Sequence, residues 1–71
     1  MKRYGIKEVL KEIANGADIV YYEKPVKWVL NKDGRDIGYL TYVTAFNTLR
    51  TMGEYNRIPH KGYTIYQSRI G

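Results

Sequence analysis

The sequence predicts an α+β fold: a single small domain over residues 1–71, with two helices packed on one face of an antiparallel sheet of three to four short strands, in the order α-β-β-β-α-β. Three observations lead there. Two segments, beginning near Ile6 and Tyr42, repeat apolar residues with a helical period, and each runs into a glycine. The segments between and after them are short runs of β-branched and aromatic residues, the composition of strands. Between two of these runs, Asp33-Gly34 supplies the positive backbone angles of a tight hairpin. A chain of 71 residues buries a small share of its surface, so every apolar element has to share one core.

In the first helix, Ile6, Val9, Leu10 and Ile13 fall at i, i+3, i+4 and i+7, while Lys7, Glu8, Lys11 and Glu12 form the outward face. Gly16 is expected to end it. Two strands follow, Ile19 to Tyr22 and Val26 to Leu30, separated by Glu23-Lys24-Pro25; the proline cannot donate to a ladder and belongs at a turn or an edge. Alternation in the second strand places Trp28 on the core face. The Asp33-Gly34 turn then leads into a third strand, Asp36 to Leu40. Asn31, Asp33 and Asp36 carry oxygen atoms that suit a hard cation, but their spacing departs from the calcium-loop pattern and its closing glutamate is missing, so a plain hairpin is the expectation.

Thr41 is placed to cap the second helix, whose stripe is Tyr42, Ala45, Phe46, Leu49 and Met52. Its other face, Thr44, Asn47, Thr48, Arg50 and Thr51, is polar and free of acids. Residues 54–61 read as a connection because Pro59 disfavours helix. Gly62 to Ile70 reads as the last strand, with Tyr63 and Ile65 on one face and Thr64, Tyr66 and Ser68 on the other. The expected core is Ile6, Val9, Leu10, Ile13, Ile19, Trp28, Leu30, Phe46, Leu49 and Ile65. Eight tyrosines cannot all be buried with their hydroxyls satisfied, so some face solvent or a partner.

The same residues exclude several kinds of chemistry. Without cysteine there is no disulfide framework, thiolate metal site or cysteine nucleophile. His60 is the only histidine and Ser68 the only serine, and no lysine and hydroxyl follow Gly34 and Gly38 to make a phosphate loop. Glu8 and Glu12 sit on an outward helix face, a poor place to raise a carboxylate pKa. The protein is therefore expected to be non-enzymatic, with no metal and no cofactor. No apolar run approaches the roughly 20 residues of a membrane span, and the basic start Met1-Lys2-Arg3-Tyr4 runs into charged residues where a signal peptide needs an apolar segment. A cytoplasmic location with no membrane partner is expected.

Binding is what remains. The formal net charge is +5. Residues 50–71 hold Arg50, Arg57, Lys61 and Arg69 against Glu54 alone, while the first 49 residues hold eight basic against six acidic residues, so the last third is the more electropositive. Such a field attracts nucleic acid or an acidic protein surface. The stretch LTYVTAFNTLRTMGEYNRIPHKGYTIYQ, residues 40–67, resembles the recognition helix and wing of winged-helix DNA-binding proteins. That resemblance implies that Thr44, Asn47, Thr48 and Thr51 face a groove and that Arg50, Arg57, His60 and Lys61 lie near phosphates. A winged helix has a further helix directly before its recognition helix, where this chain has strands. A looser reading keeps the partner without the fold: basic side chains interleaved with Tyr55, Tyr63 and Tyr66 hold a nucleic-acid backbone by charge and stack bases on rings.

The alternative is a protein-binding module. In size and general style the chain is similar to small accessory proteins of phages and mobile elements, many of which inhibit a host protein such as a defence or nucleic-acid-processing factor. Tyr21, Tyr22, Tyr39 and Tyr66 on the open sheet face would be the contact residues. An edge strand would offer a route to a homodimer.

Overall fold

The computed structural model describes residues 1–69. It contains two helices and one mixed sheet of six strands: β1 (Lys2–Arg3), α1 (Ile6–Ala14), β2 (Asp18–Glu23), β3 (Val26–Lys32), β4 (Arg35–Leu40), α2 (Tyr42–Met52), β5 (Tyr55–His60) and β6 (Tyr63–Ser68). Across the sheet the order is β1-β4-β3-β2-β6-β5. The α+β class is as expected, with more strands than expected and a different element order. All pairs are antiparallel except β1 with β4.

The extra strands lie at the two sheet edges. Residues 54–61, expected as a connection, hold β5, because Pro59 occupies an edge strand where its missing N–H deprives no second neighbour of a hydrogen bond. The two residues of β1 are too few to show a period; they pair in parallel with Gly38 and Tyr39 of β4. Ile70, expected within the last strand, lies outside the described residues. The Asp33-Gly34 turn forms as expected, with φ of 54° and 78°.

Both helices cover the same sheet face. Val9 and Ile13 of α1 and Ala45 and Leu49 of α2 form one buried cluster with Ile19, Leu30 and Leu40 of the sheet. Paired residues in neighbouring strands share a face, so the pairing of Ile19 with Leu30 and Tyr66, and of Tyr21 with Trp28, assigns Tyr21, Trp28 and Tyr66 to this helix-covered side. Glu8 joins the sheet edge to α1: it accepts the Gly5 backbone N–H at 3.2 Å and pairs with Lys2 at 2.6 Å.

Two core assignments change. Phe46 is 50% exposed and Tyr42 63% exposed, whereas Thr48 is fully buried. The buried stripe of α2 is thus Ala45, Thr48 and Leu49, with Met52 packed at its end, rotated from the expected stripe. Thr48 can occupy the interior because its hydroxyl donates to the Thr44 carbonyl at 2.7 Å, satisfying the one polar group that burial would strand. Ile65, also expected in the shared core, pairs with Val20 on the other sheet face.

Candidate functional site

The face without helices is ordered into transverse rows by the strand register. Lys27 of β3 pairs with Tyr22 of β2, Tyr22 with Tyr63 of β6, and Tyr63 with His60 of β5. One side chain from each of four adjacent strands therefore stands in a line. Behind it runs an apolar row, Tyr39, Val29, Val20, Ile65 and Ile58. Val29 and Val20 are buried although no helix covers them. Beyond that row the face becomes polar and acidic with Asp36, Asn31 and Asp18.

Contacts within the first row hold it together. The Lys27 ammonium sits 5.1 Å from the centre of the Tyr22 ring. The Tyr22 and Tyr63 rings are 6.0 Å apart, and His60 stacks on Tyr63 at 4.6 Å with 14° between the planes. Burial pushes the Tyr22 phenol pKa up, and the neighbouring Asp36 carboxylate adds to this by its charge and by a hydrogen bond. Asn31 in turn donates to Asp36 at 2.9 Å. The row ends where two turns meet: the Glu23 N–H donates to the Gly62 carbonyl at 3.0 Å, bringing together the turns that carry Lys24 and Lys61. Lys24, Lys27, His60 and Lys61 are all exposed.

The sequence-predicted residues are divided between the two faces. His60 and Lys61 belong to this end of the open face, with Tyr22 and, one row back, Tyr39. Tyr21 and Tyr66, expected beside Tyr22 and Tyr39, lie on the helix-covered side, where Tyr21 and Trp28 are 4.6 Å apart and Trp28 and Tyr66 5.7 Å apart. Adjacent residues of one strand point to opposite faces, which is why Tyr21 and Tyr22 separate. Arg57 pairs with Tyr66 and so shares the helix side. Thr44, Asn47 and Arg50 stand on α2, across the sheet from His60 and Lys61, and Thr48 is buried and thereby removed from any exposed face. The expected helix-and-wing surface is thus not a single surface: α2 follows β4 directly, and its polar residues and the hairpin tip lie on opposite sides.

Sequence reasoning missed Lys27 and Lys24. The signal for Lys27 was present in the alternation of β3, since a residue next to inward-facing Trp28 must face the open side. Only the pairing of β2 with both β3 and β6 shows that it lines up with Tyr22 and Tyr63.

Among the described residues no group of three or more His, Asp or Glu side chains could hold a metal ion. No helix of the described residues is long and apolar enough to cross a membrane. No family model, curated protein or solved structure matches the chain.

Proposed function

We propose that the protein is a non-enzymatic nucleic-acid-binding protein that lays a single strand along the Lys27-Tyr22-Tyr63-His60 row of its open sheet face. The observation that carries this reading is the row itself: two tyrosine rings at the centre, a cation at one end, a histidine at the other and two lysine-bearing turns beside it. Strands are about 4.8 Å apart, so four of them span about 14 Å, room for the two or three bases that sheet-borne aromatic residues stack in other RNA-binding folds. Rings stack on unpaired bases and not on the edges of a duplex, which favours a single strand. Lys24, Lys27 and Lys61 supply the backbone attraction, and the net charge of +5 supports it at longer range.

The test is a fluorescence anisotropy titration of the whole protein with labelled single-stranded RNA, single-stranded DNA and duplex DNA, at low and at physiological salt. Micromolar or tighter binding of a single strand at physiological salt, weaker for duplex, is the expected result. Lys27→Ala and Lys61→Ala should flatten the salt dependence, since fewer counterions are released. Binding equal for all three nucleic acids and lost at physiological salt would reduce the row to generic basic attraction and overturn the proposal.

A further inference from the structure

The helix-covered side carries a second surface of different chemistry. The large apolar residues left exposed include Tyr42, Val43 and Phe46 of α2 and Val26 of β3, at 50–67%. Phe46 and Tyr42 stack at 6.1 Å, and Tyr42 meets Trp28 at 6.3 Å, so three rings form a strip along α2 and onto the sheet. An open groove lies at each end. One, of about 690 Å³, is lined by Trp28, Val26 and Tyr42 from this side and by Lys27, Val29 and Tyr39 of the open-face rows. The other, of about 340 Å³, is lined by Phe46, Leu49 and Tyr55, with Arg50 its only charged residue.

From this we infer that the Phe46-Tyr42-Trp28 strip is a docking surface for an acidic amphipathic helix of a partner protein. Charge selects the occupant. Arg50 lines the groove beside Phe46, neither groove is lined by an acid, and α2 itself contains no acidic residue. Arg50 is engaged in no ion pair among the described residues, whose pairs are Lys2 with Glu8 and Lys32 with Glu12. A partner helix with carboxylates flanking its apolar stripe pairs with Arg50 at the Phe46 end. Length agrees as well. Two ring-to-ring steps of 6.1 and 6.3 Å match two turns of a helix, each about 5.4 Å, so apolar residues at i, i+4 and i+7 meet Phe46, Tyr42 and Trp28 in turn. A second copy of this chain fits poorly, because it would bring another +5 molecule with the same cations against the strip.

The probe is a synthetic labelled peptide of about 16 residues, enough for four helical turns, with leucine at i, i+4 and i+7 and glutamate on the flanks. It is titrated by anisotropy against the whole protein beside a scrambled peptide of the same composition, a version with lysine in place of glutamate, and anionic lipid vesicles. The expected result is saturable binding of the ordered acidic peptide alone. Phe46→Ala should weaken it about tenfold, as loss of an aromatic anchor does, and Arg50→Glu should weaken it while restoring affinity for the lysine peptide. Phe46 and Val43 are half or more exposed, so Phe46→Ala and Val43→Ser leave the fold and the single-strand affinity of the open face in place; circular dichroism and the nucleic-acid titration check both. Equal binding of the scrambled or lysine peptide, indifference to Phe46→Ala, preferential binding of the vesicles, or concentration-dependent dimers lost in Phe46→Ala would each overturn the proposal.

Discussion

Tyr4 lies across Gly38 so closely that a β-carbon at position 38 would overlap the Cδ1 and Cε1 atoms of its ring. The same β-carbon would stand 2.9 Å from the Lys2 carbonyl oxygen. Glycine is therefore required where β1 and the start of the chain close over β4. Gly38→Ala should destabilise the protein by about 1–3 kcal/mol, the usual cost of forcing an extra group into packed structure. Denaturant unfolding measures this, and Tyr4→Ala should recover part of the loss in the double variant. Additive losses would show that the two residues do not share one constraint.

The rotation of α2 makes an unequal pair of substitutions. Phe46→Ala should cost less than about 1.5 kcal/mol, well below the roughly 3–5 kcal/mol of a fully buried phenylalanine, because the ring is 50% exposed. Thr48→Val keeps the shape and removes one hydroxyl-to-carbonyl bond, so it should change stability by about 1 kcal/mol or less. Thr48→Gln, which puts a larger amide into a fully buried position, should be far worse than either. Urea midpoints for the three variants decide it; a Phe46→Ala loss of core size would contradict the exposed placement.

Two carboxylates should give stability changes of opposite sign with pH. Burial raises the Asp18 pKa, so the folded state binds its proton more tightly than the unfolded state does. The associated stability is present at acid pH and lost as pH rises through the folded value. Asp18→Asn should therefore raise the unfolding midpoint at pH 7 and bring no gain near pH 3. Glu8 is shifted down by its hydrogen bonds from Lys2 and the Gly5 N–H, so its contribution is present at neutral pH and lost as pH falls through the lowered value. Glu8→Gln should lower the midpoint at pH 7 and converge with the parent at acid pH. Both groups are largely solvated, so the effects are small, and the signs are the content of the prediction.

Within the proposed strand-binding row, Tyr63→Phe should retain affinity and Tyr63→Ala should lose about 1–3 kcal/mol of it, because stacking uses the ring and not the hydroxyl. Single-strand titrations of both variants measure this. Equal losses from the two would point to the hydroxyl and away from stacking.

The parts of the fold that were legible in the sequence are those set by local signals. Val9 and Ile13 at helical spacing gave α1, and Asp33-Gly34 gave the hairpin between β3 and β4. What stayed hidden depended on distant partners. A two-residue strand such as β1 exists only because Gly38 and Tyr39 accept it, and Pro59 reads as a strand breaker until the edge position of β5 is known. Thr48 reads as polar and Phe46 as core on hydropathy alone; a hydrogen bond within the helix lets Thr48 be buried, while Phe46 is left 50% exposed. The candidate site was legible in its residue types, with His60, Lys61 and Tyr22 singled out, but not in its face. Tyr21 and Tyr22 can be told apart only once Ile19 is known to point at the helices.

The placement of β2 between β3 and β6 also bears on how the chain reaches its final form. Ile19 pairs with Leu30 a short way along the sequence, but its other neighbour, Tyr66, is 47 positions later. During synthesis the β2–β3–β4 meander can assemble early, yet one flank of β2 stays bare until β6 has left the ribosome. Neither the four-strand row nor the ring contact of Tyr66 with Trp28 exists before then. Closing the loop to β6 carries a larger entropic cost than closing the one to β3, and a ribosome-bound nascent chain ending before β6 would display its tyrosines without the register that gives them a common surface.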